Sequence, residues 1–243
     1  MTVLNNLSFK YDFFHARLLL GFLFFWIGCS SPREVIQFSG RTMGTTYSIK
    51  IIPDAMRIDF QSLEKGIDSV LWSVNKQMST WDPSSEISKF NRIQSTDQFP
   101  VSESFYFVVK NALLISEQTD GLFDITVFDL MRIWGFGPNP KSGFPSNEEI
   151  ESVLIHTGYE KVFAENQLIH KTDPLTKLDL NAIAKGYGVD EVFNYLETRG
   201  FKEIFVEIGG EVKCSGKNQQ NKYWSIGIEN PAGGNKPDHQ FAA

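Results

Sequence analysis

The 243 residues are 42% hydrophobic and 21% charged, the proportions of a folded globular chain and not of a disordered tail or a coiled coil. Lys plus Arg number 23 against 29 Asp plus Glu, and the net charge of -6 argues against a nucleic-acid binder, which would present a basic face. Two cysteines exclude a disulfide scaffold and a Cys-rich zinc site.

Lys10, His15 and Arg17 precede an apolar run at 18–27. A membrane-spanning helix needs about 20 such residues, so this run is too short to cross. A basic segment followed by a short apolar one is the pattern of an export signal. The run ends at Gly28-Cys29-Ser30-Ser31, which resembles a bacterial lipoprotein cleavage box. Residues 1–28 are therefore expected to be a signal peptide. Cys29 is then the lipidated first residue of a mature chain, 29–243, held on a membrane and facing the periplasm or the cell exterior. The competing reading is an ordinary signal anchor with a buried cysteine. In the lipoprotein reading Cys214 has no disulfide partner within the chain, and a lone thiol is more often a small core residue than a nucleophile.

Further along, residues 38–52 are rich in Thr and Ile and predict a strand with a Gly-containing bend. Leu63, Ile67, Val70, Leu71 and Val74 recur at helical spacing and predict an amphipathic helix over 60–77. Residues 79–92 read as turn. Phe105, Val108, Val109, Ala112 and Ile115 predict a second helix, ended by Asp120-Gly121. Ser146 and Glu149 form a capping box for a third. Short apolar segments over 161–180 read as strands. Ile183, Tyr187, Phe193 and Leu196 predict a helix closed by Gly200. Residues 203–214 and 222–229 read as a final pair of strands, and 233–237 as a loop. Helices and strands alternate without a regular βαβ repeat, which implies an α+β or mixed α/β fold.

Four stretches carry residue types that a generic core does not need. Gly40-Arg41-Thr42-Met43-Gly44-Thr45-Thr46 joins two glycines to three hydroxyls, so it fits either a strand bulge or a loop that approaches a phosphate closely. Trp81 lies in a polar turn, where an indole either stacks on a planar ligand or caps the core. Asp124 interrupts the apolar run 121–127, and a carboxylate there needs hydrogen bonds, most simply as a loop anchor. In Leu178–Asp190 a strand is expected to end at Asp179 and a helix to begin just after it. Lys185 then sits near a helix N-terminus, where a cation opposes the dipole unless an anion docks there.

In order, the segments TMGTTY, MSTWDPSSEISKFN, GLFDITV, WGFGP, LDLNAIAKGYGVD and FVEIGGEVKCSGK resemble the ApbE-type FAD:protein FMN transferases over about 38–231. The resemblance implies the fold of that family. It also implies transfer of FMN from FAD to a Thr or Ser hydroxyl of an acceptor flavoprotein, with Mg²⁺ assisting and AMP leaving. Members are typically exported, often as lipoproteins, which agrees with Cys29. Met43 and Trp81 would hold one ring system of FAD; the family often has Tyr where this chain has Trp81. Leu122, Phe123 and Asp124 match a stretch that contacts FAD. Asp179 matches a FAD contact and Lys185 a position facing the pyrophosphate. Ala182 matches a residue whose backbone carbonyl binds Mg²⁺, an ion that prefers oxygen ligands.

Family members usually continue for roughly a hundred residues beyond this region. That part carries a His-Ile-x-Asp-Pro segment and a late helix whose Asp and Thr complete the metal site. His239 is not followed by that segment and is not assigned a role. Residues 29–243 alone are accordingly expected to transfer little or no FMN. A non-catalytic, lipid-anchored FAD-binding protein or an inactive fragment is the alternative to the transferase.

Overall fold

The computed structural model describes residues 33–53, 58–228 and 239–242. The expected signal peptide at 1–28, Cys29 and the expected loop at 233–237 lie outside these residues.

Residues 38–52, expected as one bent strand, form a hairpin. β1 (Ile36–Thr42) and β2 (Thr45–Ile51) pair antiparallel, with Thr42 opposite Thr45. The bend is a two-residue turn at Met43 and Gly44, whose φ values of 48° and 74° are both left-handed. Turns of that hand match the twist of the flanking strands. The segment 203–214 also folds back on itself, into β6 (Ile204–Ile208) and β7 (Glu211–Ser215). One antiparallel sheet results, in the order β1-β2-β6-β7.

Two helices cover one face of this sheet. α1 (Phe60–Met78) is capped by Asp59, whose carboxylate accepts from the Ser62 N–H. It turns Leu63, Ile67 and Leu71 onto the sheet. α6 (Asn181–Glu197) adds Val189, Val192, Phe193 and Leu196. They meet Phe38, Ile49, Ile51, Ile204, Val206 and Ile208, which alternate along their strands as a half-buried sheet requires. Gly200 follows the end of α6, as its sequence implied.

A second core lies at the other end of α1. Val74 and Met78 meet α2 (Glu86–Arg92) through Ile87 and Phe90, and α3 (Glu103–Gln118) through Phe105, Val108, Val109 and Ala112. α2 falls within the stretch read as turn; Ser85 caps it by accepting from the Ser88 N–H. In α3, Ile115 faces outward and Ser116 is buried, with its hydroxyl donating to the Ala112 carbonyl. Two short helices follow, α4 (Phe128–Ile133) and α5 (Asn147–Leu154), the second with the expected capping box of Ser146 and Glu149. Of 161–180, only β4 (Val162–Glu165) and β5 (Leu168–Lys171) are strands; they form a small sheet with β3 (Phe99–Pro100). β8 (Ser225–Ile228) pairs with β9 (His239–Ala242).

Lys171 is 1% exposed. Its ammonium donates to the Thr176 carbonyl at 2.8 Å and lies 5.0 Å from the centre of the Phe90 ring. Burial pushes its pKa down to about 8, because an apolar surrounding disfavours the charged form. Among the described residues, no helix is long and apolar enough to cross a membrane.

Candidate functional site

A cavity of about 330 Å³ opens where the two cores meet. The hairpin turn, the C-terminal end of α1 and the start of α6 form its walls, with Met43, Asn75, Trp81, Asn181 and Lys185 among its lining. Met43 packs against both cores. Its methyl group lies over Gly188 of α6, where an added Cβ would come within 2.7 Å of Met43 Cε. A left-handed φ is uncommon for an unbranched apolar residue and costs free energy, and such strain gathers at functional sites. Asn75 ties the hairpin to α1. Its amide donates to Thr42 Oγ1 at 2.9 Å and to the Leu71 carbonyl at 2.8 Å.

Trp81 is 66% exposed and stands on a turn locked from beneath. Asp82 Oδ2 pairs with Lys76 Nζ at 2.7 Å, and Asp82 Oδ1 accepts from the Ser84 N–H and hydroxyl. The Lys76 ammonium, then Ser84, hold the Asp82 carboxyl down at about 2. With its turn pinned, the indole forms a wall of the cavity on one side. On the other it borders a separate pocket that includes Thr80, Arg92 and Lys177. Of the two roles open to Trp81 in the sequence, stacking on a planar ligand and capping the core, its exposure speaks against the core cap.

The start of α6 is held by side chains in place of a sheet. The buried Asn91 amide donates to the Leu178 carbonyl at 2.8 Å, and its oxygen accepts from the Leu178 N–H at 2.7 Å. This imitates one rung of a strand ladder. The Asp179 N–H donates to the Ile125 carbonyl at 2.7 Å. Asp179, 8% exposed, accepts from the Asn181 N–H at 2.8 Å and from the Asn181 side-chain amide at 3.0 Å. Its carboxylate thereby supports the helix N-terminus and aims Asn181, which lines the cavity. Lys185 is the fifth residue of α6. Its ammonium pairs with Glu211 at 3.1 Å and donates to the Asn181 carbonyl at 3.3 Å.

Met43, Trp81 and Lys185 thus come together on one cavity, with Asp179 one residue behind it. Leu122, Phe123 and Asp124 do not line that cavity. Leu122 is 93% exposed, and Phe123 packs against the second core. Asp124 is the loop anchor that its sequence setting suggested. Its oxygens accept from the Thr126 N–H and hydroxyl and from the Tyr159 N–H, at 2.6 to 3.0 Å. Ala182 lines a neighbouring groove of about 620 Å³, shared with Asp190 and Glu211. Among the described residues no group of three or more His, Cys, Asp or Glu could hold a metal ion. These residues alone do not make a Mg²⁺ site, which calls for octahedral oxygen coordination.

Sequence reasoning did not single out Asn75, Asn91, Asn181 or Glu211. Asn75 and Asn91 carried a usable signal, since each follows a buried apolar residue on a helix, Val74 and Phe90. A polar amide there needs a partner.

The ApbE family matches this chain over residues 43–242. The FAD:protein FMN transferase of Vibrio cholerae is 41% identical over 206 residues, covering 84% of this chain and 62% of that protein. The protein of the same name from Escherichia coli is 32% identical over 234 residues, covering 90% of this chain and 66% of that one. The chain therefore spans less than two thirds of the length of these relatives. The solved structure of flavin transferase ApbE from Vibrio cholerae has a TM-score of 0.80 to it, over 82% of this chain and 65% of that one. The apo form of the Pseudomonas stutzeri flavinyl transferase ApbE has a TM-score of 0.77 at 30% identity, over 83% of this chain and 67% of that one. With this extent of matched sequence and shared architecture, the chain belongs to the ApbE family.

Proposed function

We propose that the chain serves FAD:protein FMN transfer, with the described residues holding FAD. A Thr or Ser hydroxyl of an acceptor flavoprotein forms a new bond to the FMN phosphorus of FAD. The bridging bond of the diphosphate breaks, AMP leaves and the hydroxyl proton is released. The observation that carries this reading is the meeting of Met43, Trp81 and Lys185 on one cavity at the start of α6. An exposed indole and a thioether suit a planar ring, and an ammonium suits the diphosphate. The names of the relatives at 41% and 32% identity support the same chemistry. Phosphoryl transfer mainly needs positioning and neutralisation of charge. Mg²⁺ belongs to the proposal: when bound it would offset the diphosphate charge, and the Ala182 carbonyl would be one of its oxygen ligands.

FAD is expected to quench the tryptophan fluorescence saturably, with and without Mg²⁺, and Trp81→Ala is expected to remove much of that quenching. A folded chain that binds no FAD would overturn the reading.

The proposal also places the protein outside the cytoplasm, tethered to a membrane through a lipid on Cys29. The basic segment, the apolar run at 18–27 and Gly28-Cys29 support this. Mass spectrometry of the native protein is expected to find lipid-modified Cys29 as its first residue. An unprocessed Met1 without lipid would refute it, as would cleavage at another position.

A further inference from the structure

We propose that the Gly209-Gly210-Glu211 turn between β6 and β7 positions Lys185, with Glu211 the positioning residue for its ammonium. The inference rests on the FAD reading above and assigns a task to a motif that reading leaves unused. Gly209 and Gly210 have φ values of 59° and 99°, in the left-handed region that favours glycine. The turn is tied down twice. The Gly209 N–H donates to the Thr46 carbonyl at 3.1 Å, and the Gly210 N–H donates to Glu207 Oε1 at 2.8 Å. A Cβ on Gly209 would stand 2.7 Å from Thr45 Cγ2 and 3.1 Å from Lys185 Cδ, so the lysine stem lies close against bare backbone. At the far end of that stem, Glu211 Oε1 and the Asn181 carbonyl share the ammonium. Lys185 is thus held along its stem and at its head, although lysine is otherwise a long and freely rotating side chain.

The sign of the effect follows from where Glu211 lies. Lys185 lines the cavity that holds Met43 and Trp81; Glu211 does not line it and faces the neighbouring groove instead. The carboxylate therefore draws the ammonium from behind and stays off the path of an incoming diphosphate. Ordering the lysine before binding reduces the cost of ordering it during binding. Glu211 Oε2 is buried and makes no hydrogen bond among the described residues, which leaves Oε1 to the lysine.

The test compares FAD with riboflavin, which shares the ring system and lacks the diphosphate. Glu211→Ala is expected to weaken FAD binding roughly threefold to tenfold and to leave riboflavin binding unchanged. In a Lys185→Ala background the same substitution should change nothing, because a residue that acts through another loses its effect when that other is gone. Glu211→Gln, which keeps the shape and removes the charge, provides a second route to the same selective loss if Glu211→Ala does not fold. The inference is overturned by equal weakening for riboflavin, by tighter FAD binding, or by a Glu211 effect that persists without Lys185. A wild-type chain that binds neither flavin overturns the FAD reading itself, and this inference with it.

Discussion

Asn91→Leu is expected to lower stability by about 2 to 6 kcal/mol, since a buried backbone donor and a buried acceptor each lose their partner at about 1 to 3 kcal/mol apiece. Both belong to Leu178, which Asn91 grips through its amide and its oxygen. Leucine fills a similar volume, so the loss reports hydrogen bonding and not a cavity. Asn91→Asp keeps the acceptor for the Leu178 N–H but sets a buried carboxylate against the Leu178 carbonyl, so a loss at least as large is expected. Urea unfolding measures both; a Leu variant with an unchanged midpoint would show that water replaces the side chain. FAD affinity should fall alongside stability, because residue 178 sets the position of Asp179 and of the first turn of α6.

Asp179→Ala is expected to weaken FAD binding roughly threefold to tenfold while the chain stays folded. The carboxylate makes two hydrogen bonds to Asn181, and without them Asn181 must be ordered during binding, at about 0.5 to 1.5 kcal/mol. Each 1.4 kcal/mol is about a factor of ten in Kd. Without the carboxylate, Asn181 turns freely at the cavity wall and the α6 N-terminus loses its anionic support. Fluorescence titration reads the change. Unchanged affinity in a folded Asp179→Ala variant would remove Asp179 from the site.

Local periodicity made the helices legible, and long-range partners were hidden. Leu63, Ile67, Leu71 and Val74 repeat at the helical period, and all four are buried where α1 meets the cores. The capping box of Ser146 and Glu149 is a contact across three residues, and it formed as written. α2 escaped notice because Pro83 and the serines around it mark a turn, and because one short helix shows only Ile87 and Phe90 as its stripe. The stretch 172–180 looked like strand since Leu178 and Leu180 alternate with polar residues. Its ladder partner is a side chain 87 positions away, which no local pattern can reveal. In the site, Met43, Trp81 and Lys185 were named through the family resemblance, and the fold brings the three onto one cavity. Glu211 and Asn181 are ordinary polar residues, distinguished only by what the fold sets beside them.

The hairpin turn at Met43 and Gly44 carries a further consequence. At a φ of 48° an L-residue crowds its own backbone, at about 1 to 2 kcal/mol relative to the right-handed form, and glycine would avoid that cost. A thioether stands there all the same, wedged between two cores with its methyl over α6. Packing against both cores offsets that strain, so the one residue that crowds the turn also joins the two cores and walls the cavity.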